Sequence, residues 1–463
     1  NARGTAQERR RVEALERDTD IVATSAVFGS STVRTAATAE AVKNAQTDAV
    51  VGTVIEIDGA SAGGLATAAV AAGVDGLVVA RGGAGNIVGG TLAAGQAVVG
   101  GGGNFDVAGA VSNTPGTFLP TGAAPTFTAA TGAVMTMSTG TQLSGIGITG
   151  TAQIGVETAG ASNVLLRDVA VAGLTNANPV GVRMTGGSGL TMRGGSISGI
   201  TSTASGAYGF LANVGASNIT LEDVAITGLA GPASQTRFGV ALSGTSGTAD
   251  FTNVVMTLDS QSGNVADPTL YYDEIGYRLT NHTGGLVTIS GGRVDKAHTG
   301  IQGPNPGISL LKVANVAING FRHSGIDIDN GSAVSRVSLD NVTITRDPAE
   351  TVWNSKPMWV ANRNGGTMDL TVANSAFSNF HSLGGQNPPA IELFGNNSSY
   401  CANVSGNPFA GPTAVERQTT VRDGSNAVSV VDATNFAANN TGGGLGTFGS
   451  GSFVNVAGVC LLP

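Results

Sequence analysis

A short phrase recurs along the middle of this chain. It reads Asp-Val-Ala-Val-Ala-Gly-Leu from Asp168 and Asp-Val-Ala-Ile-Thr-Gly-Leu from Asp223. A repeat spaced by two to four dozen residues indicates stacked structural units rather than a single globular core. The copies begin at Gly145, Asp168, Gly194, Asp223, Asn253, Gly291, Asn315, Asn341 and Asn374.

Each copy of the phrase predicts a tight turn followed by a short strand. Its first residue is always Gly, Asp or Asn, the residue types that tolerate a positive φ. Apolar residues then occupy alternate positions, as Val169 and Val171 do, which is typical of a strand with one buried face.

Two further strands complete the repeat. One begins with glycine followed by apolar, variable and apolar residues, as in Gly325-Ile-Asp-Ile, and Met358 and Ala390 are predicted to replace that glycine in two later units. The other lies between it and the turn, as in Leu190-Thr-Met-Arg. Three strands in each stacked unit predict an all-β, right-handed, single-stranded parallel β-helix of about ten or more coils. A leucine-rich solenoid is the main alternative, but its Leu-x-x-Leu-x-Leu signature is absent.

The composition supports this fold and excludes some partners. Of the 463 residues, 12% are charged and 71 are glycine, which fits an array of turns and aliphatic coils. The net charge is −8 and no basic cluster is interleaved with aromatic residues, so nucleic acid is not an expected partner. No apolar run is long enough for a transmembrane helix. The chain starts with Asn and shows no signal peptide, so we expect a processed or excised portion.

The same reading predicts four segments. Residues 1–45 form a lead-in with a short charged helix at 5–18, and residues 46–141 form the initial coils, with a strand at 50–57 and a helix at 65–72. Residues 142–410 form the regular coils and residues 411–463 a C-terminal β cap.

The two cysteines, Cys401 and Cys460, both lie late in the chain. In an oxidising compartment, a disulfide between them would fasten the C-terminal segment onto a late coil. Two unrelated buried thiols are the alternative.

Three sequence segments carry a resemblance to a known group of proteins. They are Gln96-Ala-Val-Val-Gly-Gly-Gly-Gly, Pro125-Thr-Phe-Thr and Leu143-Ser-Gly-Ile-Gly-Ile. They resemble the Gly-Gln-x-Leu-x-Gly-Gly-Gly segment and following coils of secreted bacterial surface β-helix proteins of the autotransporter-passenger and adhesin type. The fold as a whole resembles the pectin-lyase-like superfamily. The resemblance covers residues 76–410 and implies an extracellular rod at the bacterial cell surface that contacts carbohydrate, another cell surface or copies of itself.

Long intervals between copies of the phrase mark loop insertions at 267–274, 346–354 and 379–389. All three fall between the third strand of one coil and the first strand of the next, so they are expected along one edge of the rod. Aromatic side chains there suit stacking against sugar rings, although packing of the loops onto the coils is the alternative. The predicted ligand-binding residues are Tyr271, Tyr272, Trp353, Trp359, Phe380 and His381.

Alternation also predicts which residues of the glycine-led strand face outward. Asp327 and Asp329 share that face and His323 lies just upstream, so these three are candidate acid and base groups for cleaving a polysaccharide. Solvent-facing polar residues are the alternative, and the motifs of polygalacturonases are missing. No metal site or cofactor is predicted, because two carboxylates do not satisfy calcium and no zinc spacing is present. The outward column is predicted as Glu157, Arg183, Leu211, Ala241, Arg278, Gln302, Asp327, Val360 and Glu392.

The sequence therefore favours a structural or adhesive surface protein, a rigid rod whose loops bind glycans or partner proteins. The alternative is a polysaccharide-degrading enzyme, which would be a glycoside hydrolase, a lyase or a tailspike-like depolymerase.

Overall fold

The computed structural model consists almost entirely of parallel β-strands. The charged helix predicted at 5–18 lies outside the residues that the structure describes. The described residues are 40–232, 235–258, 274–304, 307–331, 334–347, 356–363, 366–378, 389–396, 398–410, 418–422, 427–448, 450–457 and 460.

The chain divides into two compact units. The first unit contains Asn1–Leu174 and Gly187–Ser196, and the second contains Thr175–Gly186 and Ile197–Pro463. Within each unit the strands form three parallel columns, which we name first, second and third in the order of one coil.

The first unit holds the initial coils. Its first strands are Gly90–Thr91, Ala133–Thr136 and Ile154–Ala159. Its second strands are Val54–Ile57, Leu77–Ala80, Ala97–Gly100, Gln142–Ser144, Val164–Arg167 and Ser188–Arg193. Its third strands are Ile87–Val88, Thr126–Ala129, Gly147–Gly150 and the start of Ala170–Asn176. An antiparallel sheet of Val42–Asn44, Phe105–Gly109 and Pro115–Phe118 accompanies them.

The predicted strand and helix of the initial coils are both present, as Val54–Ile57 and Gly64–Ala72. The buried amide of Gln96 completes the helix, because its Nε2 donates to the carbonyl oxygens of Ala69 and Gly73, both at 2.6 Å. These carbonyls belong to the last turn of the helix and its C-cap, where each also accepts one backbone N–H, from Gly73 and Gly76 respectively. Gln96 therefore joins the helix to the coil that follows.

The second unit holds the regular coils. Its first strands are Val180–Thr185, Ala207–Asn213, Arg237–Ser243, Glu274–Thr280, Thr299–Pro304, Ser324–Asn330, Lys356–Arg363, Ile391–Asn396, Gln418–Arg422 and Gly444–Phe448. Its second strands are Ser217–Glu222, Ser246–Thr252, Leu286–Ser290, Leu310–Ala314, Val334–Asp340, Thr367–Ala373, Ser399–Ser405, Val428–Val431 and Phe453–Val456. Its third strands are the end of Ser196–Ser198, then Ala225–Thr227, Val255–Thr257, Arg293–Asp295, Ala317–Phe321, Thr343–Arg346, Ala376–Ser378 and Phe409–Ala410. Thr201–Ser202, a 3₁₀ turn at Ala433–Asn435 and a helical turn at Phe436–Asn439 complete this unit.

The repeated phrase forms the turn that the sequence predicts. The first residue of all nine copies has a positive φ, between 51° at Asp168 and 66° at Gly194. Side chains at this turn also bond between coils: the Asn253 amide donates to Asp223 at 3.0 Å and the Asn341 amide to Asn315 at 2.7 Å. The prediction of a parallel β-helix is confirmed.

One register prediction is wrong. Ile326 pairs with Met358, so Pro357 and not Met358 stands opposite Gly325. The shift by one residue turns Val360 into the core, where it is fully buried, and places Trp359 in the outward column. In this coil Pro357 stands at the position that glycine occupies in other coils. Because the glycine is missing, the sequence does not show that the motif begins at Pro357 and not at Met358.

The C-terminal residues continue the parallel columns. Val428–Val431 pairs with Ser399–Ser405 on one side and with Phe453–Val456 on the other. The predicted disulfide is present, with the Cα atoms of Cys401 and Cys460 5.7 Å apart. It fastens the chain after the last described strand to a coil two strands earlier.

Candidate functional site

Four of the predicted site residues fall within the described residues: Asp327, Asp329, His323 and Trp359. The other five, Tyr271, Tyr272, Trp353, Phe380 and His381, lie outside them. Within the described residues, the candidate site therefore lies on the coils of the second unit.

Asp327, Trp359 and Glu392 occupy equivalent positions on three successive first strands. Strands in a sheet lie about 4.8 Å apart, so the Cα atoms of Asp327 and Glu392 are about 10 Å apart with Trp359 between them. Asp329 lies two residues beyond Asp327 on the same outward face, opposite Ala361. We name this group the outer-face cluster; its members are Asp327, Asp329, Lys356, Trp359, Arg363, Glu392 and Phe394.

Two cations hold the indole ring of Trp359 in place. The ammonium of Lys356 lies 5.6 Å from the ring centroid, and the guanidinium carbon of Arg363 lies 5.4 Å from it. The same guanidinium lies 5.0 Å from the ring centroid of Phe394. These distances fit cation–π contacts. Trp359 is therefore a partly exposed aromatic residue in a fixed environment.

The acidic members have different partners. Glu392 is buried, with 3% of its surface exposed, and its carboxylate pairs with Lys356 at 3.2 Å and with Arg422 at 3.0 Å. Asp329 pairs with Arg363, with Nε and Oδ1 3.2 Å apart. Glu392 thus forms ion pairs with two cations.

Asp327 is the acid whose environment favours its protonated form. The pKa of Asp327 is raised to about 6, chiefly by burial and then by the negative charge of Asp329, while the charges of Lys356 and Arg363 act in the opposite direction. Burial also raises the pKa of Asp329, against the charge of Arg363. Asp327 therefore holds its proton up to mildly acidic pH beside a second carboxyl group, and a carboxyl pKa raised toward the working pH is what a general acid needs.

His323 does not join the two aspartates. Its ring stacks on His298, with centroids 5.0 Å apart and planes inclined by 4°. It lies in the bend that precedes the strand Ser324–Asn330, four positions before Asp327. Burial, followed by the charges of His298 and Lys356, lowers the pKa of His323 to about 3. The histidine is therefore neutral at physiological pH and belongs to the corner that precedes the strand.

A second aromatic group on the first strands was missed by sequence reasoning. The rings of Tyr208 and Phe238 stack with centroids 4.9 Å apart, and the guanidinium carbon of Arg278 lies 5.0 Å from the Phe238 centroid. The available signal was an aromatic residue directly before the motif glycine, at Gly209 and Gly239. Phe238 is only 3% exposed and packs with Ala241 and Ile275, and Tyr208 lies partly buried against them.

One set of three potential metal ligands occurs among the described residues, formed by Asp369, Cys401 and Cys460. Both sulfur atoms are joined in the disulfide, so the set does not provide thiolate ligands. Within the described ranges, no helix is long and apolar enough to span a membrane.

Comparison with known proteins gives no family assignment. No protein-family model matches the chain, and no curated protein sequence matches it.

Proposed function

We propose that this chain is an extracellular glycan-binding protein of the bacterial surface, a β-helix that presents the outer-face cluster to a saccharide. The observation that carries the proposal is Trp359, held partly exposed among carboxyl and cationic groups. Sugars present apolar C–H faces together with hydroxyl groups. An indole ring supplies the apolar contact, and Asp329 and Arg363 supply acceptors and donors beside it.

The surroundings of the cluster support the surface role. A disulfide forms and persists in oxidising compartments, which include the cell exterior. The sequence resemblance to autotransporter passengers and adhesins, within a pectin-lyase-like architecture, points to the same location. Both arguments support the proposal independently of the cluster.

Glycan-array binding with three proteins tests the proposal: the wild type, Trp359→Ala and a control, Lys312→Ala. Lys312 is exposed on a second strand, away from the outward face of the first strands. We expect the wild type and the control to bind the same glycans, and Trp359→Ala to bind them about tenfold more weakly, because a stacked aromatic ring contributes about 0.5 to 1.5 kcal/mol beyond the area it buries and a tenfold change corresponds to about 1.4 kcal/mol. Equal binding by all three proteins would rule out the outer-face cluster as the binding site.

A second candidate function, polysaccharide cleavage, is favoured by the raised pKa of Asp327 next to Asp329. Asp327 and Asp329 are two residues apart on one strand, so their Cα atoms are about 7 Å apart and their side chains leave the same face. The two carboxyl groups of glycosidases are about 5 to 9.5 Å apart, a range that such a pair of side chains can reach. In that reaction Asp327 would protonate the leaving-group oxygen and Asp329 would act as base or nucleophile.

A reducing-sugar assay on any polysaccharide whose oligosaccharides bind on the array distinguishes the two functions. Ultraviolet absorbance of unsaturated products detects a lyase in the same reaction. Release that is lost in Asp327→Asn, with binding retained, supports the enzyme. Binding without release supports the adhesin and removes the enzyme.

A further inference from the structure

A polar cavity of about 500 Å³ lies in the last coils of the second unit, away from the outer-face cluster. Its volume is within the range of small-molecule sites, about 300 to 1,000 Å³. Side chains of the strand Ser399–Ser405, of the turn after Val428–Val431 and of the strand Phe453–Val456 line it. The lining residues that matter here are Asn403, Val431, Asp432, Asn439, Asn455 and Val456.

Hydrogen bonds hold some polar side chains of the cavity in position and leave other donors and acceptors for a ligand. The Asp432 carboxylate accepts hydrogen bonds from the amides of Asn435 and Asn439, each at 2.9 Å. The Asn455 carbonyl oxygen accepts the backbone N–H of Ala433 at 2.7 Å, which leaves the Asn455 NH₂ group for another acceptor. No hydrogen bond occupies the Asn403 amide within the described part of the chain. The cavity therefore offers both donors and acceptors at fixed positions.

We propose that this cavity is a second binding site, specific for a neutral, hydroxyl-rich ligand such as a single sugar ring. Hydroxyl groups donate and accept, and so match a mixture of amide groups and one carboxylate. The aliphatic walls at Val431 and Val456 suit the C–H face of the ring. An anionic ligand is disfavoured, because it would meet Asp432 and none of the described lining residues is cationic.

The disulfide controls one wall of this site. Asn455 and Val456 belong to the last described strand, which pairs with Val428–Val431. Cys460 follows that strand closely and is bonded to Cys401, two residues before Asn403 on the opposite side of the cavity. The bond therefore ties the two walls together, and reduction is expected to weaken ligand binding.

Ligand-observed NMR with the full chain tests the site, using methyl α-glucoside, methyl β-galactoside and methyl α-mannoside as probes and glucuronate as the anionic comparison. We expect at least one neutral glycoside to bind, glucuronate to bind more weakly, and Asn403→Leu to reduce the affinity at least tenfold. Ser338→Leu is the matched control, because Ser338 lies in the same column two coils earlier. A second variant, Val456→Phe, fills the cavity without removing a polar group.

Two outcomes would overturn the inference. One is that none of the three glycosides binds, or that both cavity variants bind like the wild type while remaining folded by circular dichroism. The other is binding that survives Asn403→Leu and Val456→Phe but is lost in Trp359→Ala, which would assign it to the outer-face cluster. The experiment therefore tests the cavity and the outer-face cluster as binding sites independently of each other.

Discussion

Asp327 and Glu392 occupy equivalent positions in the same outward column, yet their neighbours give them different chemistry. Glu392 is deeply buried but has two cations within 3.2 Å. Asp327 has a neighbouring carboxyl group, and burial dominates its pKa. Burial without an adequate cation is expensive for an ionised group, and natural chains retain it mainly where the group has a function.

Asp327→Asn should stabilise the protein at neutral pH. In the folded chain the pKa of Asp327 is about 6 against an ordinary 3.8, so its contribution to stability is fully present below pH 3.8 and is lost as the pH rises through 6. The amide cannot ionise, so the free energy of unfolding should be higher than that of the wild type by about 1 to 2 kcal/mol at pH 7.5, after allowance for solvent screening. Near pH 4 the two proteins should differ little.

Urea unfolding at pH 4 and pH 7.5 measures this difference, with Asp250→Asn as the control for loss of a surface carboxyl group. His323 contributes in the opposite direction, because its lowered pKa removes stability as the pH falls from 6.5 toward 3. That contribution is common to the wild type and the variants, so it cancels. If Asp327→Asn is equally stable or less stable than the wild type at pH 7.5, Asp327 is not a buried acid with a raised pKa.

At the scale of the coil, the motif glycine sets how closely neighbouring elements pack. A Cβ atom on Gly276 would collide with the carbonyl oxygen of Gly300 in the next coil and approach the Val294 side chain to 2.7 Å. Backbone atoms of a stacked strand cannot move aside as a flexible side chain can. The glycine therefore allows the first strand to lie against the interior side chains of the third.

Gly276→Ala should lower the free energy of unfolding by about 1 to 3 kcal/mol, as overpacking in a dense core does. Thermal melting followed by circular dichroism measures the loss. Gly284→Ala is a useful contrast, since a Cβ there meets nothing within 4 Å but the φ of +66° strains the backbone. If the steric explanation is correct, Gly276→Ala will be the more damaging variant; the reverse order would place the glycine requirement in backbone conformation.

The coil was predictable because its signals are local. Positive-φ residues at the turns and alternating apolar positions on the strands sit within a few residues of one another, and Asp168 and Val169 illustrate both. The sequence did not predict that Trp359 pairs with Asp327 in the outward column. Pro357 occupies the position of the motif glycine there, so the usual marker of the register is missing. The ion pairs of Glu392 and the role of Gln96 at the helix end depend on residues 23 to 36 positions away, and spacing alone does not show such contacts.

For the whole molecule, stability is distributed along a stack in which each coil depends mainly on its neighbours. Phe453–Val456 is the outermost strand of its column among the described residues, and Phe453 and Val454 are exposed there, at 38% and 51%. The Cys401–Cys460 bond closes a loop with a sequence separation of 59 residues, for which chain entropy predicts about 4 kcal/mol. In a stack, that stabilisation should be felt locally and not throughout the protein.

Reduction should therefore loosen the last coils and leave earlier ones intact. Hydrogen exchange, measured with and without dithiothreitol and on the Cys401→Ser/Cys460→Ser double variant, should show faster exchange in 428–431 and 453–456. Amides in 207–213 and 237–243, which lie many coils earlier in the same unit, should exchange at unchanged rates. Uniformly faster exchange along the second unit would instead mean that the coils unfold as one cooperative block, with the disulfide acting on all of them.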